Sequence, residues 1–383
     1  MKVKLSDAFD LQMGKTPPRN DRECWGDGHK WISISDIGNA GKYIDTTKEE
    51  ITDIGVSKSG IKVVPKGTVI MSFKLSIGKT AITTEDMYTN EAIMAFINKG
   101  KYEINTDYLY HMCKGIDWFE GTNKAVLGLT LNKATMSEKE IEIPPQEEQL
   151  QVVAVLDKMD ELIALRKEQI AKLDQLVKSR FIELFGDPVS NPHGYPKVTL
   201  SELAEIKIGP FGSLLHKEDY IANGHALVNP SHIVDGKISV DNELTVSDEK
   251  FSELSAYHLQ VGDLVMGRRG EMGRCAVVHT DGLLCGTGSL LIRTKGDVTA
   301  DYLQKIISFP SFKKTIEDMA VGQTMPNLNV PIVSGFQIIK PPIEIQKAYY
   351  TFVEQTDKSK LAIQASLAEL EILKKALMQK YFG

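Results

Sequence analysis

Val198-Thr199-Leu200-Ser201-Glu202 repeats Val3-Lys4-Leu5-Ser6-Asp7 at an offset of 195 residues, and Gly14 falls opposite Gly209 at the same offset. The register continues. Gly67-Thr68-Val69-Ile70-Met71 matches Gly262-Asp263-Leu264-Val265-Met266, and Ile77-Gly78-Lys79-Thr80-Ala81-Ile82 matches Met272-Gly273-Arg274-Cys275-Ala276-Val277. Asp107-Tyr108-Leu109 answers Asp301-Tyr302-Leu303, and Gly128-Leu129-Thr130-Leu131 answers Gly322-Gln323-Thr324-Met325. Pro144-Pro145 and Pro341-Pro342 then open closing segments of equal length, which end in Phe185-Gly186 and Phe382-Gly383. A fixed-period match along a whole chain marks a duplicated module. The chain is therefore read as two copies of one unit.

Each copy begins with short β-branched runs such as Thr68-Val69-Ile70-Met71 and Thr80-Ala81-Ile82-Thr83, set between Gly, Pro, Asn and Asp. That pattern predicts short strands joined by turns, with Lys66-Gly67-Thr68 turning into a buried strand. Residues 106–113 and 300–307 read as short helices. From Pro144 onward the apolar period changes. Leu156, Met159, Ile163, Ile170, Leu173, Val177 and Leu184 recur at steps of three, four and seven residues, as do Ile363, Leu367, Leu370, Leu377 and Tyr381 in the second copy. Paired prolines followed by Glu147-Glu148 suit a helix start, and Gly186 before Pro188 is a stop signal.

The expected fold class is α+β, with two tandem domains each followed by a long helix. The boundaries are 1–143 for the first domain, 144–186 for the central helix and 187–197 for a Pro/Gly/Asn linker. The second domain spans 198–340 and the C-terminal helix 341–383. An apolar seam about 60 Å long needs a cover. Duplication predicts an antiparallel coiled coil between the two helices about a pseudo-two-fold axis, with Leu156, Ile163, Ile170, Leu173, Val177, Ile363, Leu367, Leu370 and Leu377 as pairing residues. The plainer alternative packs each helix on its own domain.

Composition sets limits. Of the 383 residues 42% are hydrophobic and 25% charged, as in an ordinary globular protein, and the net charge of −6 argues against bulk coating of DNA. Local basic loops remain compatible with it. Cys24, Cys113, Cys275 and Cys285 form no CxxC pair, so reduced thiols in a cytoplasmic protein are expected, with no metal site. The start of the chain lacks a signal-peptide core, and no apolar run suits a membrane span.

Catalytic signatures are missing. Ile77-Gly78-Lys79-Thr80 resembles the end of a P-loop, but position 73, where GxxxxGK(S/T) needs glycine, is Phe73, and the second copy reads Gly273-Arg274-Cys275. Gly286-Thr287-Gly288 has Leu291 in place of the third glycine of GxGxxG. No HExxH, GxSxG or EF-hand pattern occurs, and no Asp/Asn-Pro-Pro-Tyr/Phe motif for methyl transfer to an amino group. His111 and His258 read as structural or solvated. A non-catalytic chain without a cofactor of its own follows.

Several features together resemble the specificity subunit of type I restriction–modification systems, over essentially the whole chain. They are the repeat opening extended by Leu203-Ala204, the Gly67 and Gly262 turns, Ile143-Pro144-Pro145-Gln146-Glu147-Glu148-Gln149 leading into a helix, and Phe185-Gly186-Asp187-Pro188 closing it. The resemblance implies two target-recognition domains that each read one half of a split double-stranded DNA site. It also implies paired helices that set the spacing and bind two modification subunits. Those partners would carry S-adenosylmethionine and methylate adenine, and motor and nuclease subunits would join for cleavage. Half-sites one helical turn apart lie about 34 Å centre to centre. Because the two copies differ in their loops, the target should be asymmetric; drift after duplication is the plainer account of that difference.

Sequence readout needs side chains that reach base edges, while Lys, Ser, Thr and backbone N–H groups hold phosphates. The candidate DNA-binding residues are therefore those that carry such groups on the differing loops. In the first copy they are Lys15, Thr16, Arg19, Lys74, Lys79, Asn132 and Lys133. In the second they are Ser213, His216, Lys217, Arg268, Arg269, Arg274, Gln323 and Asn327. Arg268-Arg269 stands out, since arginine can bond guanine through two parallel contacts. A solvated surface charge is the ordinary alternative for each. As a whole, the chain reads as a DNA-specificity subunit, against two other classes: a duplicated protein-interaction scaffold that oligomerises through its helices, and a self-contained methyltransferase or nuclease.

Overall fold

The computed structural model describes residues 1–74, 76–119, 131–271, 273–320 and 327–383. Two compact units emerge. The first joins Met1–Glu168 to Ile363–Gly383, and the second spans Gln169–Ala362. Each long helix thus contributes one half to each unit.

In the first unit a five-stranded sheet runs in the order Phe9–Met13, Ile93–Asn98, Val69–Ser72, Thr80–Thr83, Tyr43–Ile44. The first four strands are antiparallel, with Val69 opposite Phe96 and Met71 opposite Met94, and the last lies parallel to its neighbour. Val69–Ser72 and Thr80–Thr83 are buried at every position, so both faces of the sheet are covered there. Gly67 adopts φ +75 at the turn before the first of these, a conformation that disfavours other residues. A second sheet places Trp25–Ile32 between Glu49–Ile51 and Tyr88–Thr89.

The second unit has the same centre. Its main sheet runs Ala204–Ile208, Ser289–Thr294, Leu264–Gly267, Cys275–Val277, all antiparallel, with Leu264 opposite Ile292 and Met266 opposite Leu290. No fifth strand extends it among the described residues. A separate hairpin, Ile233–Val234 with Lys237–Ile238, lies in that stretch of the chain. Its companion sheet has four strands, ordered Thr245–Val246, His225–Val228, Leu283–Cys285, His258–Leu259.

Matching caps set matching helices. Asn105 accepts from the N–H of Asp107 and Tyr108 (2.9 and 3.0 Å) to start Thr106–Gly115, and Thr299 accepts from that of Tyr302 (3.1 Å) to start Ala300–Ile307. A short antiparallel clasp closes each globular part: Lys2–Lys4 pairs with Glu140–Glu142, and Lys197–Thr199 with Gln337–Ile339.

The long helices span Gln146–Phe185 and Ile343–Phe382, 40 residues each. In the first unit Asp160 pairs with Lys374, and Lys167 lies 3.1 Å from Glu371, so the two helix halves run antiparallel there. In the second, Asp174 lies 2.6 Å from Lys360, and the Tyr349 hydroxyl donates to the Val177 carbonyl (3.3 Å), again antiparallel. The expected pairing residues divide by place. Leu156 is fully buried in the first core, and Leu377 packs against that same core. Val177 packs against the second core. Ile163, Ile170, Leu173, Ile363, Leu367 and Leu370 are half-buried along the helices.

All four cysteines are free and buried. Among the described residues, no helix is long and apolar enough to cross a membrane, and no group of His, Cys, Asp and Glu could hold a metal ion.

Candidate nucleic-acid interface

The duplicated glycines at the end of each first sheet strand are steric requirements. A Cβ on Gly14 would lie 2.0 Å from the Thr89 carbonyl oxygen, and one on Gly209 would lie 2.0 Å from that of Gly286. Beyond them the two copies diverge.

In the first unit the strap after Gly14 crosses the Trp25–Ile32 strand. The Trp31 indole donates to the Lys15 carbonyl and the Trp25 indole to that of Pro18, both at 3.0 Å. This holds Arg19 with its guanidinium 3.9 Å above the Trp25 ring and 4.9 Å from that of Trp31, while Nη1 lies 2.6 Å from Glu49 Oε1. Stacking and ion pairing limit the rotamers of a long side chain, so Arg19 is pre-set before any partner arrives. Lys15 Nζ donates to the Ser59 and Gly60 carbonyls at the end of helix Asp53–Ser59 (3.1 Å each), and the Thr16 hydroxyl donates to the Glu91 carboxylate. Both hold the strap in place.

Lys74 and Lys79 are exposed on the loop between strands Val69–Ser72 and Thr80–Thr83. Lys79 shares a groove of about 700 Å³ with Lys42, Lys114, Asp157 and Asp160. There Lys42 Nζ lies 2.8 Å from Asp107 and 2.7 Å from Asp157, and among the described residues Lys79 has no carboxylate paired with it. Burial and the cation of Lys42 hold Lys114 below the usual lysine range, although Asp160 opposes them. Asn132 caps helix Lys133–Glu138 by accepting from the Thr135 N–H (2.9 Å), and Lys133 is exposed at its first position.

In the second unit Ser213, His216 and Lys217 sit exposed on two successive 3-10 turns, Gly212–Leu214 and Lys217–Asp219. The His216 N–H donates to Asp219 Oδ2 (2.7 Å). Arg268 is half-buried: its Nε donates to the Leu328 carbonyl (3.0 Å), and the Leu328 N–H returns a bond to the Arg268 carbonyl (2.9 Å). Burial, followed by the neighbouring Arg269, lowers the proton affinity of that guanidinium, which stays charged. Arg269 is exposed. Asn327 stands beside Leu328, half-buried, its Oδ1 without a hydrogen-bond partner among the described residues. Thus the fold brings Arg268, Arg269 and Asn327 to one place from positions about sixty residues apart. Arg274 bonds Glu271 through Nε and Nη2 (3.3 and 3.0 Å) and the Pro230 carbonyl through Nη1 (3.2 Å), so it braces its own loop. Gln323 lies outside the described residues.

Residue patterns alone did not single out Trp25, Trp31 and Glu49 as the setting of Arg19, or Asp157 as the shared partner of Lys42 and His111. An arginine six residues before a tryptophan is no periodic signal. These groups meet only across a sheet or against the central helix.

The model of the type I restriction modification DNA specificity domain matches residues 1–175 and 192–371. The chain belongs to that family, whose part is DNA sequence recognition rather than catalysis. Among its relatives is the type I restriction enzyme MjaIX specificity subunit of Methanocaldococcus jannaschii, 25% identical over 98% of this chain and 91% of the relative. The MjaVIII specificity subunit of the same organism is 22% identical over 98% and 90%. A chain from a structure concerned with complex assembly and conformational transition of the type I system matches in fold, with a TM-score of 0.66, 18% identity and coverage of 100% and 97%. The HsdS subunit from Thermoanaerobacter tengcongensis matches with a TM-score of 0.52, 18% identity and coverage of 100% and 96%.

Proposed function

We propose that each unit reads one half of a split, asymmetric DNA site and that the chain brings methyltransferase and restriction subunits to it. The observation that carries this reading is the pairing of one scaffold with two different sets of reading groups. The order of the four antiparallel main-sheet strands and the cap positions repeat between units. The loops do not: one carries Arg19 stacked on tryptophans, the other carries Arg268, Arg269 and Asn327. Sequence readout comes from base-edge contacts, so different loops on a common frame select different half-sites. Lys74, Lys79, Lys133 and Lys217 suit phosphates, where a flexible cation suffices.

Two modification subunits carrying S-adenosylmethionine are the expected partners, with motor and nuclease subunits joining for cleavage in the cytoplasm. The relatives are named as specificity subunits of type I restriction enzymes, which supports this assignment. Mapping adenine methylation in host DNA with and without this gene tests it. Loss of one split, asymmetric motif is the expected outcome. An unchanged methylation pattern while the methyltransferase is expressed would overturn the reading.

A further inference from the structure

In each unit two loops leave the same end of the main sheet. The Gly14 N–H donates to the Ile93 carbonyl (3.2 Å), and the Phe73 N–H to that of Ala92 (3.0 Å). Gly209 and Arg268 make the matching bonds to Ser289 and Gly288 (3.0 Å each). Phe73 and Arg268 therefore hold one scaffold position. In the second unit that position presents a guanidinium, whereas in the first it is a ring buried in the core. The first unit instead carries its arginine on the strap, at Arg19.

The setting of Arg19 decides what it can bind. The residue is exposed, its guanidinium stands over the Trp25 ring, and Nη1 is taken by Glu49. Among the described residues nothing bonds Nε or Nη2, so one edge of the fork is open and held in place. Phosphate is a poor partner for that edge. Glu49 already offsets the charge, and the hollow of about 370 Å³ beside Trp25 is lined by Asp27, Glu49 and Glu50 against one lysine, Lys48. A phosphodiester brought to Arg19 would meet these carboxylates at short range, where like charges repel. A neutral base edge meets no such repulsion. Guanine offers two adjacent acceptors in the major groove, O6 and N7, spaced for two parallel N–H bonds from an arginine. A fixed guanidinium plane suits that geometry, while a phosphate contact needs only a flexible cation.

We propose that Arg19 is a specificity-determining residue whose Nε–Nη2 edge reads O6 and N7 of one guanine in the half-site of the first unit. Trp25 and Glu49 are positioning residues that hold this edge. The proposal rests on the DNA reading above and adds to it the base, the edge that reads it and the exclusion of phosphate. The two units thus read from different elements of the same sheet end, the strap in one and the loop after Leu264–Gly267 in the other.

The test uses the complex purified through a tag on the full chain, with duplexes carrying the motif that disappears from host methylation when the gene is removed. If no motif disappears, the DNA reading falls and this proposal with it. Each guanine of the motif, on either strand, is replaced in turn by 7-deazaguanine, which lacks the N7 acceptor. At one position the replacement should weaken binding by the native chain about tenfold. At that same position it should leave Arg19→Ala unaffected, because the variant has already lost the contact. Arg19→Met, which keeps an unbranched side chain over Trp25 without donors, should behave alike and separates loss of the contact from loss of the strap. A motif without guanine would overturn the proposal while leaving the DNA reading intact. So would losses that simply add at every guanine in both variants, as a phosphate contact or a structural brace would give.

Discussion

Gln149 and Gln346 make the same set of bonds in the two units. Each is wholly buried at the fourth position after a proline pair. Gln149 accepts from the Asn105 N–H (2.8 Å) and donates to the Glu103 and Pro144 carbonyls (2.9 Å each). Gln346 accepts from the Thr299 N–H and donates to the Pro341 carbonyl (3.0 Å each) and, more loosely, to the Asp297 carbonyl (3.5 Å). The side-chain amide thus ties the first turn of a long helix to the loop that caps a domain helix. Replacing either by Leu would strand buried backbone groups, at about 1–3 kcal/mol apiece. Urea unfolding of Q149L and Q346L should show losses of that size, and an unchanged midpoint would rule out the anchoring role.

Gly115 fixes how closely the end of the C-terminal helix approaches the first domain. A Cβ there would lie 2.5 Å from a ring carbon of Phe382. Gly115→Ala should push that ring away from Tyr108 and cost about 1–3 kcal/mol, as overpacking does. Thermal unfolding measures the cost, and amide exchange at residues 378–382 shows whether the helix end is released.

His111 should make the first unit sensitive to acid. Burial lowers its proton affinity, against the pull of Asp157, whose Oδ1 lies 2.7 Å from Nε2. Burial works against Asp157 as well, but bonds from Lys42 and His111 leave its carboxyl below the usual range. A histidine with a depressed folded pKa stabilises fully above its unfolded value, about 6.5. That stability is lost as pH falls from there toward the folded pKa. Asp157 adds a second loss at lower pH, through the carboxylate range. Stability measured between about pH 7 and pH 5 should fall in the native chain and flatten in His111→Ile, which removes the titrating ring.

Arg268 is held by Leu328 through Nε, and among the described residues nothing takes its two terminal nitrogens, which are left for a partner. Arg268→Ala should cost about 1–3 kcal/mol at one base pair of one half-site. Binding competition across single-base variants of the target, at fixed salt, distinguishes this from a loss spread evenly over all sequences, which would assign the residue to phosphate.

Leu173 and Leu370 are half-buried where the helix halves run side by side in their respective units. Aspartate at either place brings a charge into a partly desolvated seam, at about 1–3 kcal/mol. Melting curves of the two variants should shift downward; a curve that stays put would mean the seam is open to water at that residue.

The duplication, the long helices and their start and stop signals were legible because they rest on local rules. Proline and glycine restrict φ, an apolar stripe has a period, and a buried strand reads as an unbroken apolar run. The Gly14 and Gly209 match was visible for the same reason, although its cause, a carbonyl 2.0 Å from where a Cβ would sit, was not. What tertiary structure alone decided is which side chains meet. Arg19 lies on Trp25 and Trp31, and Arg274 is consumed by Glu271 while Arg268 keeps its outer nitrogens. The division of each long helix between two units likewise has no local sign. Contacts between residues far apart in the chain depend on sheet order and loop path, and no short-range periodicity encodes those.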